Sequence, residues 1–247
     1  MKYTLEVCSG DIGSAIAAKR GGASRIELCS ALSEGGITPS AGLAAEACTL
    51  GLTVHALIRP RGGDFLYSPA EVKTMVTDIK MLRQLGVDGV VIGCLTEDGD
   101  IDIEACRRLV DAAGDINITF HRAFDRCRCP EEALEQIIEL GCNRILTSGQ
   151  QATAYEGIPL LSKLVKQADN RIIIMPGCGV NASNVAHILQ ATGASEIHAS
   201  ASTMVPSLMK FSRSDVYMGA KGADEDHRKV TDAQAVADIL NAINDIA

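Results

Sequence analysis

One pattern recurs eight times along the chain: a short run rich in β-branched residues, a polar or glycine-bearing loop, and an amphipathic helical stretch. Junctions such as Leu85-Gly86-Val87 and Leu140-Gly141-Cys142 are typical of the return from a helix to a parallel strand. Eight such units in 247 residues, with no linker-like segment between them, predict a single-domain α/β fold, a (β/α)8 TIM barrel over residues 1–247. The expected strands are Thr4–Val7, Arg25–Leu28, Leu52–Ile58, Gly89–Ile92, Asn117–Phe120, Arg144–Leu146, Arg171–Met175 and Glu196–His198.

Helices are expected after each strand, and Ser68-Pro69 and Cys129-Pro130 place proline in a first helical turn. The last unit is irregular, because roughly thirty residues, Ala199 to Val230, separate strand eight from the final helix. A loop of that length in a compact domain is usually functional or disordered, and we expect it to fold over the barrel mouth. The expected helices are approximately Asp11–Arg20, Ser40–Thr49, Pro69–Leu85, Ile103–Ala112, Pro130–Leu140, Ile158–Ala168, Ala182–Ala191 and Asp232–Ile246.

Composition agrees with this fold and excludes several functions. Hydrophobic residues make up 47% of the chain and aromatic residues 3%, with no Trp, so the core must consist of Val, Ile, Leu and Ala, as in buried parallel strands. The net charge of −8 and the lack of a basic cluster with aromatic residues argue against a nucleic-acid or anionic-membrane surface. No stretch resembles a signal peptide or a membrane span, so we expect a cytoplasmic protein whose nine cysteines are mostly free thiols.

Charged residues within the expected strands must point into the barrel, because side chains alternate between the two faces and the outer face lies under helices. A buried ion has to be paired, so we expect the deeper members, Glu6, Arg25, Glu27 and Glu196, to form a closing network. The inward-facing positions are Glu6, Cys8, Arg25, Glu27, Cys29, His55, Arg59, Asn117, Thr119, His121, Glu196, His198 and Ser200.

His121 is the leading candidate for acid–base catalysis, because it follows a strand at the end where barrel enzymes carry their active sites. Asp125 lies near enough in sequence to orient it, and Asp64 is a further candidate carboxylate. A hydrogen-bonded structural histidine is the alternative interpretation.

The stretch Ile58-Arg59-Pro60-Arg61-Gly62-Gly63-Asp64-Phe65 indicates an anion site, since arginine forks suit planar or tetrahedral anions and glycine lets a ligand approach the backbone. Parity directs Arg59 inward, toward Glu27, and leaves Arg61 beyond the strand as the better ligand contact. Pairing of both arginines with interior carboxylates is the alternative. Loops after strands five to eight add candidate ligand-binding residues, by way of side chains or backbone N–H groups: Arg122, Ser148, Gly177, Gly179, His198 and Ser200.

Cys8 and Cys29 end neighbouring strands, after the matching phrases Glu6-Val7-Cys8 and Glu27-Leu28-Cys29. Adjacent strands lie about 4.8 Å apart, so the two sulfurs can share one soft ion, and without an obvious third protein ligand they suit Cu(I) better than tetrahedral zinc. Simple burial of two small thiols is the alternative. Cys127 and Cys129 are interpreted as loop residues, and the remaining core cysteines are Cys48, Cys106 and Cys142.

Several motifs occur together in a fixed order: Glu6-Val7-Cys8, Gly21-Gly22-Ala23 through Cys29, Glu34-Gly35-Gly36-Ile37-Thr38-Pro39-Ser40, Ile58 through Phe65, Thr119-Phe120-His121-Arg122-Ala123-Phe124-Asp125 and Leu146-Thr147-Ser148-Gly149. Together they closely resemble the CutC copper homeostasis family. The resemblance implies a cytosolic (β/α)8 barrel, often a homo-oligomer, that binds copper through Cys8 and Cys29, and it implies no defined reaction. The sequence departs from the family pattern at Cys178, where glycine is expected, after His198, where an arginine is missing, and at Cys94, where a smaller residue is usual.

Two functions therefore stand side by side. The cysteine pair and the resemblance indicate a cytosolic copper-binding protein of copper homeostasis, whose partners are the copper ion and further copies of the chain. The arginines and His121 indicate instead an enzyme that acts on a small anionic metabolite, phosphorylated ones included. Neither function involves nucleic acid or a membrane.

Overall fold

The computed structural model describes residues 3–211, 213, 215–219, 221–222 and 224–246, and it confirms the (β/α)8 architecture. Eight parallel strands form one sheet: β1 (Thr4–Ser9), β2 (Arg25–Leu28), β3 (Thr53–Leu57), β4 (Gly89–Ile92), β5 (Asn117–Phe120), β6 (Arg144–Thr147), β7 (Ile173–Pro176) and β8 (Glu196–Ala199). Their hydrogen-bonded order is β7-β6-β5-β4-β3-β2-β1-β8. Because β1 pairs with both β2 and β8, and β7 packs beside β8, the sheet curls into a barrel.

Helices follow the strands and cover the outside of the sheet. They are α1 (Ile12–Arg20), α2 (Ala41–Cys48), α3 (Pro69–Gln84), α4 (Ile103–Ala113), α5 (Pro130–Glu139), α6 (Ile158–Ala168), α7 (Val185–Thr192) and α8 (Ala233–Asn244), with 3-10 turns at Leu32–Glu34 and Arg122–Arg126. Within the described part of the chain, no helix combines the length and the apolarity that crossing a membrane requires.

The largest difference from the expected helix boundaries is at the start of α7, which begins at Val185 rather than Ala182. Asn184 Oδ1 accepts from the Asn181 amide at 2.9 Å, and Asn181 Oδ1 accepts from the Ser183 amide at 2.9 Å. Such local side-chain bonds offer the backbone an alternative to the helix. They therefore delay helix formation by most of a turn.

The outward face of the strands is apolar and packs under the helices, as parity predicts. Each of these side chains contributes about 1.5–3 kcal/mol when fully removed from water, so this layer supplies the main hydrophobic stabilisation. Its most buried strand residues include Leu5, Val7, Ile26, Leu28, Val54, Val90, Ile92, Ile118, Phe120, Ile145 and Ile197.

The lower barrel interior is filled by ion pairs. Arg25 Nε lies 2.7 Å from Glu6 Oε2, and Arg25 Nη2 also pairs with Glu196. Arg144 Nε, which the sequence analysis did not place here, lies 3.1 Å from the same Glu196 oxygen. Burial alone would raise the pKa of Glu196, but Arg25 and Arg144 outweigh it and lower that pKa. The expected network therefore forms, with Arg144 as a member in place of Glu27.

Contrary to expectation, the described residues between 199 and 230 do not line the barrel mouth. β9 (Ser202–Pro206) and β10 (His227–Thr231) pair antiparallel with each other in a hairpin, here termed the arm (residues 202–231). Residues 212, 214, 220 and 223 lie outside the described residues, and none of the arm's described residues lines the mouth cavity. The described arm exposes apolar side chains to solvent, among them Leu208, Met209, Phe211 and Met218.

The base of the arm is attached to the first barrel unit. The Thr231 amide donates to Ser14 Oγ at 3.1 Å, and Thr231 Oγ1 donates to the Cys8 carbonyl at 3.3 Å. The end of β10 is thereby fixed to α1 and β1 before α8 begins.

We expect Arg25→Met to lower the free energy of unfolding by about 3–5 kcal/mol, because it leaves the Glu6 and Glu196 carboxylates under-compensated in the barrel interior. Urea unfolding at neutral pH measures the change. Arg171→Met is the matched control: it removes an exposed pair with Glu135 and should barely move the unfolding midpoint. Similar losses in the two variants would contradict a structural role for the interior network.

Candidate functional site

The C-terminal ends of the strands surround a cavity of about 390 Å³. This is the end at which (β/α)8 enzymes carry their active sites. Six of the sequence-predicted site residues line it, namely Cys8, Arg59, His121, Arg122, Asp125 and His198. The other lining residues are Glu27, Gly35, Leu57, Gly63, Phe65, Arg126 and Leu146.

Strand register brings three of these side chains together. Cys8 is the direct partner of Glu27 across β1 and β2, and His198 follows on the other side of β1, where its partner is Glu6. One ligand atom from each of Cys8, Glu27 and His198 lies within 4.8 Å of the other two, and His198 Nε2 is 3.8 Å from Glu27 Oε2. Each residue is at most 9% exposed, so the group is nearly buried at the cavity floor.

The Glu6 carboxylate lies deeper in the barrel than this group and positions its histidine. It accepts from His198 Nδ1 at 3.0 Å and from His55 Nδ1 at 3.1 Å, and it is fully buried. Burial favours its neutral form, but the bonds to His198 and His55 and the charge of Arg25 hold the pKa of Glu6 well below its ordinary value. Glu6 is therefore an anion that fixes the ring orientation of His198.

His198 in turn is held as a cation. Burial disfavours its charged form, but the charge of Glu27 and the bonds to Cys8 and Glu6 raise the pKa of His198 well above its ordinary value. Burial and the negative charge of Glu6 raise the pKa of Glu27 despite the opposing effect of His198. The Nε2 side of His198 thus faces a carboxyl group and a thiol across the cavity floor.

The thiols of Cys8 and Cys29 are in contact, as the matching motifs at the ends of their strands predict. Cys8 Sγ and Cys29 Sγ are 3.8 Å apart. The contact with Cys29, burial and the charge of Glu27 raise the pKa of Cys8 well above its ordinary value. Cys29 is fully buried and packs with Leu57 and Val91, whereas Cys8 lines the cavity, so an incoming ion reaches Cys8 first.

His121 forms part of the cavity wall as a neutral imidazole. Gly93 leaves room for the ring, since a Cβ at that position would lie 2.5 Å from His121 Cε1. Burial and the nearby charge of Arg59 lower the pKa of His121 to about 3. Its Nδ1 accepts from the Ala123 amide at 3.1 Å, which assigns the proton to Nε2. Among the described residues, Nε2 has no hydrogen-bond partner, so His121 offers a buried N–H donor.

The expected orientation of His121 by Asp125 is wrong. The Asp125 carboxylate accepts instead from Thr147 Oγ1 at 2.5 Å, the Ser148 amide at 3.0 Å and Arg122 Nε at 2.7 Å. Ser148 Oγ also accepts from Arg122 Nη2 at 2.9 Å. The loop after β6 therefore uses Asp125 to position Arg122 at the cavity edge, and the carboxylate is not available as the partner of His121.

Arg59 contacts backbone carbonyls rather than Glu27, contrary to expectation. Its Nη1 donates to the Glu34 and Gly36 carbonyls at 2.7 and 2.8 Å, and its Nη2 donates to the Gly63 carbonyl at 2.8 Å. Parity alone could not show this, because the contacts depend on how the loops after β2 and β3 fold. Within the described chain Arg59 forms no ion pair, so its positive charge remains available to the cavity.

Arg61 and Asp64 lie outside the cavity lining. Arg61 Nε donates to Glu71 Oε1 at 2.6 Å, and its Nη2 donates to Asp64 Oδ1 at 3.1 Å. The Arg61 guanidinium also lies over the Tyr67 ring, 5.2 Å from its centroid. Of the two arginines in this stretch, it is therefore Arg59 and not Arg61 that faces the cavity.

Gly177, Gly179 and Ser200 also lie outside the cavity lining. A Cβ on Gly177 would lie 2.5 Å from Leu146 Cδ1, so this glycine permits close packing of the wall. Gly179 has φ +72°, and Ser200 Oγ lies 3.2 Å from Ser202 Oγ. A Cβ on Gly177 would also lie 3.2 Å from His198 Cβ, so the loop after β7 packs against His198 without lining the cavity.

The remaining cysteines do not line the cavity, Cys94 among them. Cys94 is fully buried, and its carbonyl accepts from Cys106 Sγ at 3.8 Å. Cys127 and Cys129 are both free thiols. Cys178 has φ +82°, a region that favours glycine, which is the residue that the family pattern predicts at this position.

Sequence reasoning missed Glu27 as a residue of the mouth. Matching Glu27-Leu28-Cys29 to Glu6-Val7-Cys8 aligns the two cysteines, whereas the sheared register of the barrel aligns Cys8 with Glu27. The alternation of side chains placed Glu27 correctly in the interior. Only the register between β1 and β2 shows the position of Glu27 along the barrel axis.

Comparisons with known proteins agree on one family. A model of the CutC family matches residues 3–203. A CutC family protein of Bacteroides thetaiotaomicron is 55% identical over 98% of each chain, and the copper homeostasis protein cutC homolog of Homo sapiens is 48% identical over 98% of this chain and 89% of its own. A crystal structure of CutC from Streptococcus agalactiae, 36% identical, has a TM-score of 0.77 and covers 80% of this chain and 98% of its own. By sequence and by fold, this chain belongs to the CutC family.

Proposed function

We propose that the protein acts in copper homeostasis by binding Cu(I) as a cargo ion between the thiolates of Cys8 and Cys29. The observation that carries this proposal is the 3.8 Å separation of the two sulfurs at the floor of the mouth cavity. The name of the human relative, a copper homeostasis protein, supports the choice of metal. A cytoplasmic location and a homo-oligomer, both expected from the family resemblance, belong to the same proposal.

The donor set suits a soft ion. Thiolates select Cu(I) over hard divalent ions, and the apolar side chains of Leu57 and Val91 beside the sulfurs limit access of water to them. The raised pKa of Cys8 means that copper must displace a proton from this thiol. Copper affinity should therefore increase as the pH rises.

We expect Cys8→Ser and Cys29→Ser each to weaken Cu(I) binding by more than the roughly 10–100-fold typical of losing an outer-shell partner, because each removes half of the sulfur donors. Anaerobic competition titration of the reduced protein against a chromophoric Cu(I) chelator measures the affinity. Cys142→Ser is the matched control, since Cys142 is a buried free thiol outside the cavity lining.

Unchanged affinity in both strand-end variants would contradict the copper site. An equal loss in Cys142→Ser would show that the titration reports general thiol binding rather than one site.

A second function, an enzyme acting on a small anionic metabolite, is favoured by a different observation. The Nε2–H of His121 and the Nε–H of Arg59 are buried and unpartnered in the described chain, and both residues line the cavity. The Phe65 ring contacts both residues, with its centroid 5.0 Å from the centroid of the His121 ring and 5.1 Å from Arg59 Cζ. Buried donors without partners in native structures call for a water, an ion or a ligand.

These groups would recognise an oxyanion in distinct ways. Arg59 supplies a fixed positive charge, and Arg122, held by Asp125, supplies a second cation at the rim. A neutral His121 donates a hydrogen bond, as residues that stabilise developing negative charge do. The low pKa of His121 thus favours a donor role over the general acid–base role expected from the sequence. Asp64, which lies outside the lining, would take no direct part.

We expect a small carboxylate or phosphate ester that occupies the cavity to raise the melting temperature of the wild-type protein, since a ligand at a hundred times its Kd stabilises by about 2.7 kcal/mol. Thermal-shift screening of a metabolite panel detects it. His121→Phe keeps a ring but removes the N–H donor, and it should reduce the shift. Arg61→Ala should leave the shift intact, because Arg61 lies outside the cavity.

A shift lost in Arg61→Ala but kept in His121→Phe would move the anion site to the outer loop and contradict this assignment. If no anionic ligand produces a shift, the enzyme hypothesis loses its support.

The depressed pKa of His121 also predicts how stability depends on pH. Above the ordinary histidine pKa of 6.5 the residue is neutral in the folded and unfolded chains alike. Between 6.5 and about 3, only the unfolded chain takes up the proton, so His121 destabilises the fold increasingly as the pH falls. His121→Phe should therefore lose less stability than wild type between about pH 7 and about pH 5, measured by urea unfolding. Parallel pH profiles would show that His121 is not held neutral.

A further inference from the structure

Cys8, Glu27 and His198 together form a ligand set of a kind different from the two-sulfur pair. They offer one sulfur, one carboxylate oxygen and one imidazole nitrogen, all within 4.8 Å of one another. They come from three different strands that share the rigid β1 ladders. From these observations we propose that the barrel mouth binds a divalent transition-metal ion of the zinc class on Cys8 Sγ, a Glu27 carboxylate oxygen and His198 Nε2.

The distances between the three ligand atoms are slightly longer than those in an occupied tetrahedral site. Zinc lies about 2.3 Å from sulfur and about 2.0–2.2 Å from nitrogen or oxygen, so the edges of the tetrahedron are roughly 3.3–3.8 Å. His198 Nε2 and Glu27 Oε2 are already 3.8 Å apart. A small rotation of the Cys8 or Glu27 side chain completes the set.

The hydrogen bond from His198 to Glu6 is of the kind that orients metal-binding histidines. Its other ring nitrogen, Nδ1, lies 3.0 Å from Glu6 Oε1 and donates to it. A histidine that binds a metal almost always donates its remaining N–H to such a carboxylate or carbonyl, which fixes the tautomer and the ring orientation. Because Nδ1 is bonded to the buried Glu6 carboxylate, Nε2 is the nitrogen that can give up its proton to an incoming ion.

The charge of the barrel interior accommodates a dication in exchange for two protons, one from the cationic His198 and one from the Cys8 thiol. Three carboxylates and two guanidiniums occupy the described interior layer, where Arg25 pairs with both Glu6 and Glu196 and Arg144 pairs with Glu196. Glu27 has no guanidinium partner there, and its ion pair is the 3.8 Å contact with His198. A dication that displaces the protons of the Cys8 thiol and of His198 Nε2 would match the remaining negative charges of Glu27 and the Cys8 thiolate in the low-dielectric interior.

Three protein ligands leave the fourth position of a tetrahedral ion open, as in catalytic zinc sites. Here that position faces the cavity lined by Arg59, His121 and Arg122. It would take a water molecule or an oxygen atom of a small ligand, whose negative charge the two arginines favour. The chemical class of ligand is therefore a small oxygen-donor anion bound directly to the metal.

This inference does not rest on the copper proposal. The two sites share Cys8 but differ in their other members, since Cys29 belongs only to the copper pair and Glu27 only to the divalent set. Substitution of either residue thus tests one site while sparing the other.

The test uses Co²⁺ as the probe, added to the reduced full-length protein. We expect one Co²⁺ per chain, with the intense near-ultraviolet absorption of a thiolate–Co²⁺ bond and the visible bands of tetrahedral Co²⁺, both removed by added Zn²⁺. Cys8→Ser should abolish the thiolate band, and Glu27→Gln and His198→Asn should each weaken Co²⁺ binding at least about 10-fold. Cys29→Ser, the matched control, should keep the Co²⁺ spectrum while losing Cu(I) affinity, and Glu27→Gln should not weaken Cu(I) binding.

Two spectroscopic results would overturn the divalent site: no thiolate band in the wild-type protein, or a band lost in Cys29→Ser and kept in Glu27→Gln. X-ray absorption of the wild-type protein loaded with Zn²⁺ provides a test without substitutions, in case a variant fails to fold. One sulfur with nitrogen and oxygen neighbours supports the assignment, and two sulfurs refute it.

Discussion

The buried carboxylate of Glu6 is the interaction on which the rest of the barrel mouth depends. From β1 it reaches Arg25 on β2, His55 on β3 and His198 on β8. One anion thereby links four adjacent strands at the barrel axis, in surroundings where electrostatic interactions are much stronger than in water. The same carboxylate fixes the ring orientation of His198, so structural stability and the chemistry of the cavity floor have a common origin.

Much of this arrangement follows from the order of residues along each strand. Alternation of side chains places Glu6, Arg25 and Glu196 inside, and the need to pair buried ions then predicts their network. The eight repeated units predict the fold itself. These inferences succeed because they use periodicity within a strand, which a single sequence contains in full.

The inferences that failed depend on geometry between elements. The position of Glu27 along the barrel axis relative to Cys8 depends on barrel shear. Which of Arg59 and Arg61 faces the cavity depends on where the loop carbonyls point. Asp125 is four residues from His121, but its carboxylate is hydrogen-bonded to the loop after β6, where the Ser148 amide donates to it. Sequence distance gave no sign of the decisive contacts, because Glu27, the Glu34 and Gly36 carbonyls and Ser148 come from other units of the barrel than the residues they meet.

The arm leaves the barrel after β8 and rejoins it before α8 at nearly the same place. Its two strands start and end together, because Ser202 pairs with Thr231, and the family match ends at residue 203, within its first strand. A short turn between the paired strands would therefore let α8 follow β8 with all eight barrel strands unchanged. A domain inserted at the exposed end of this hairpin would likewise leave the barrel strands in place, since exposed loop tips tolerate insertion best.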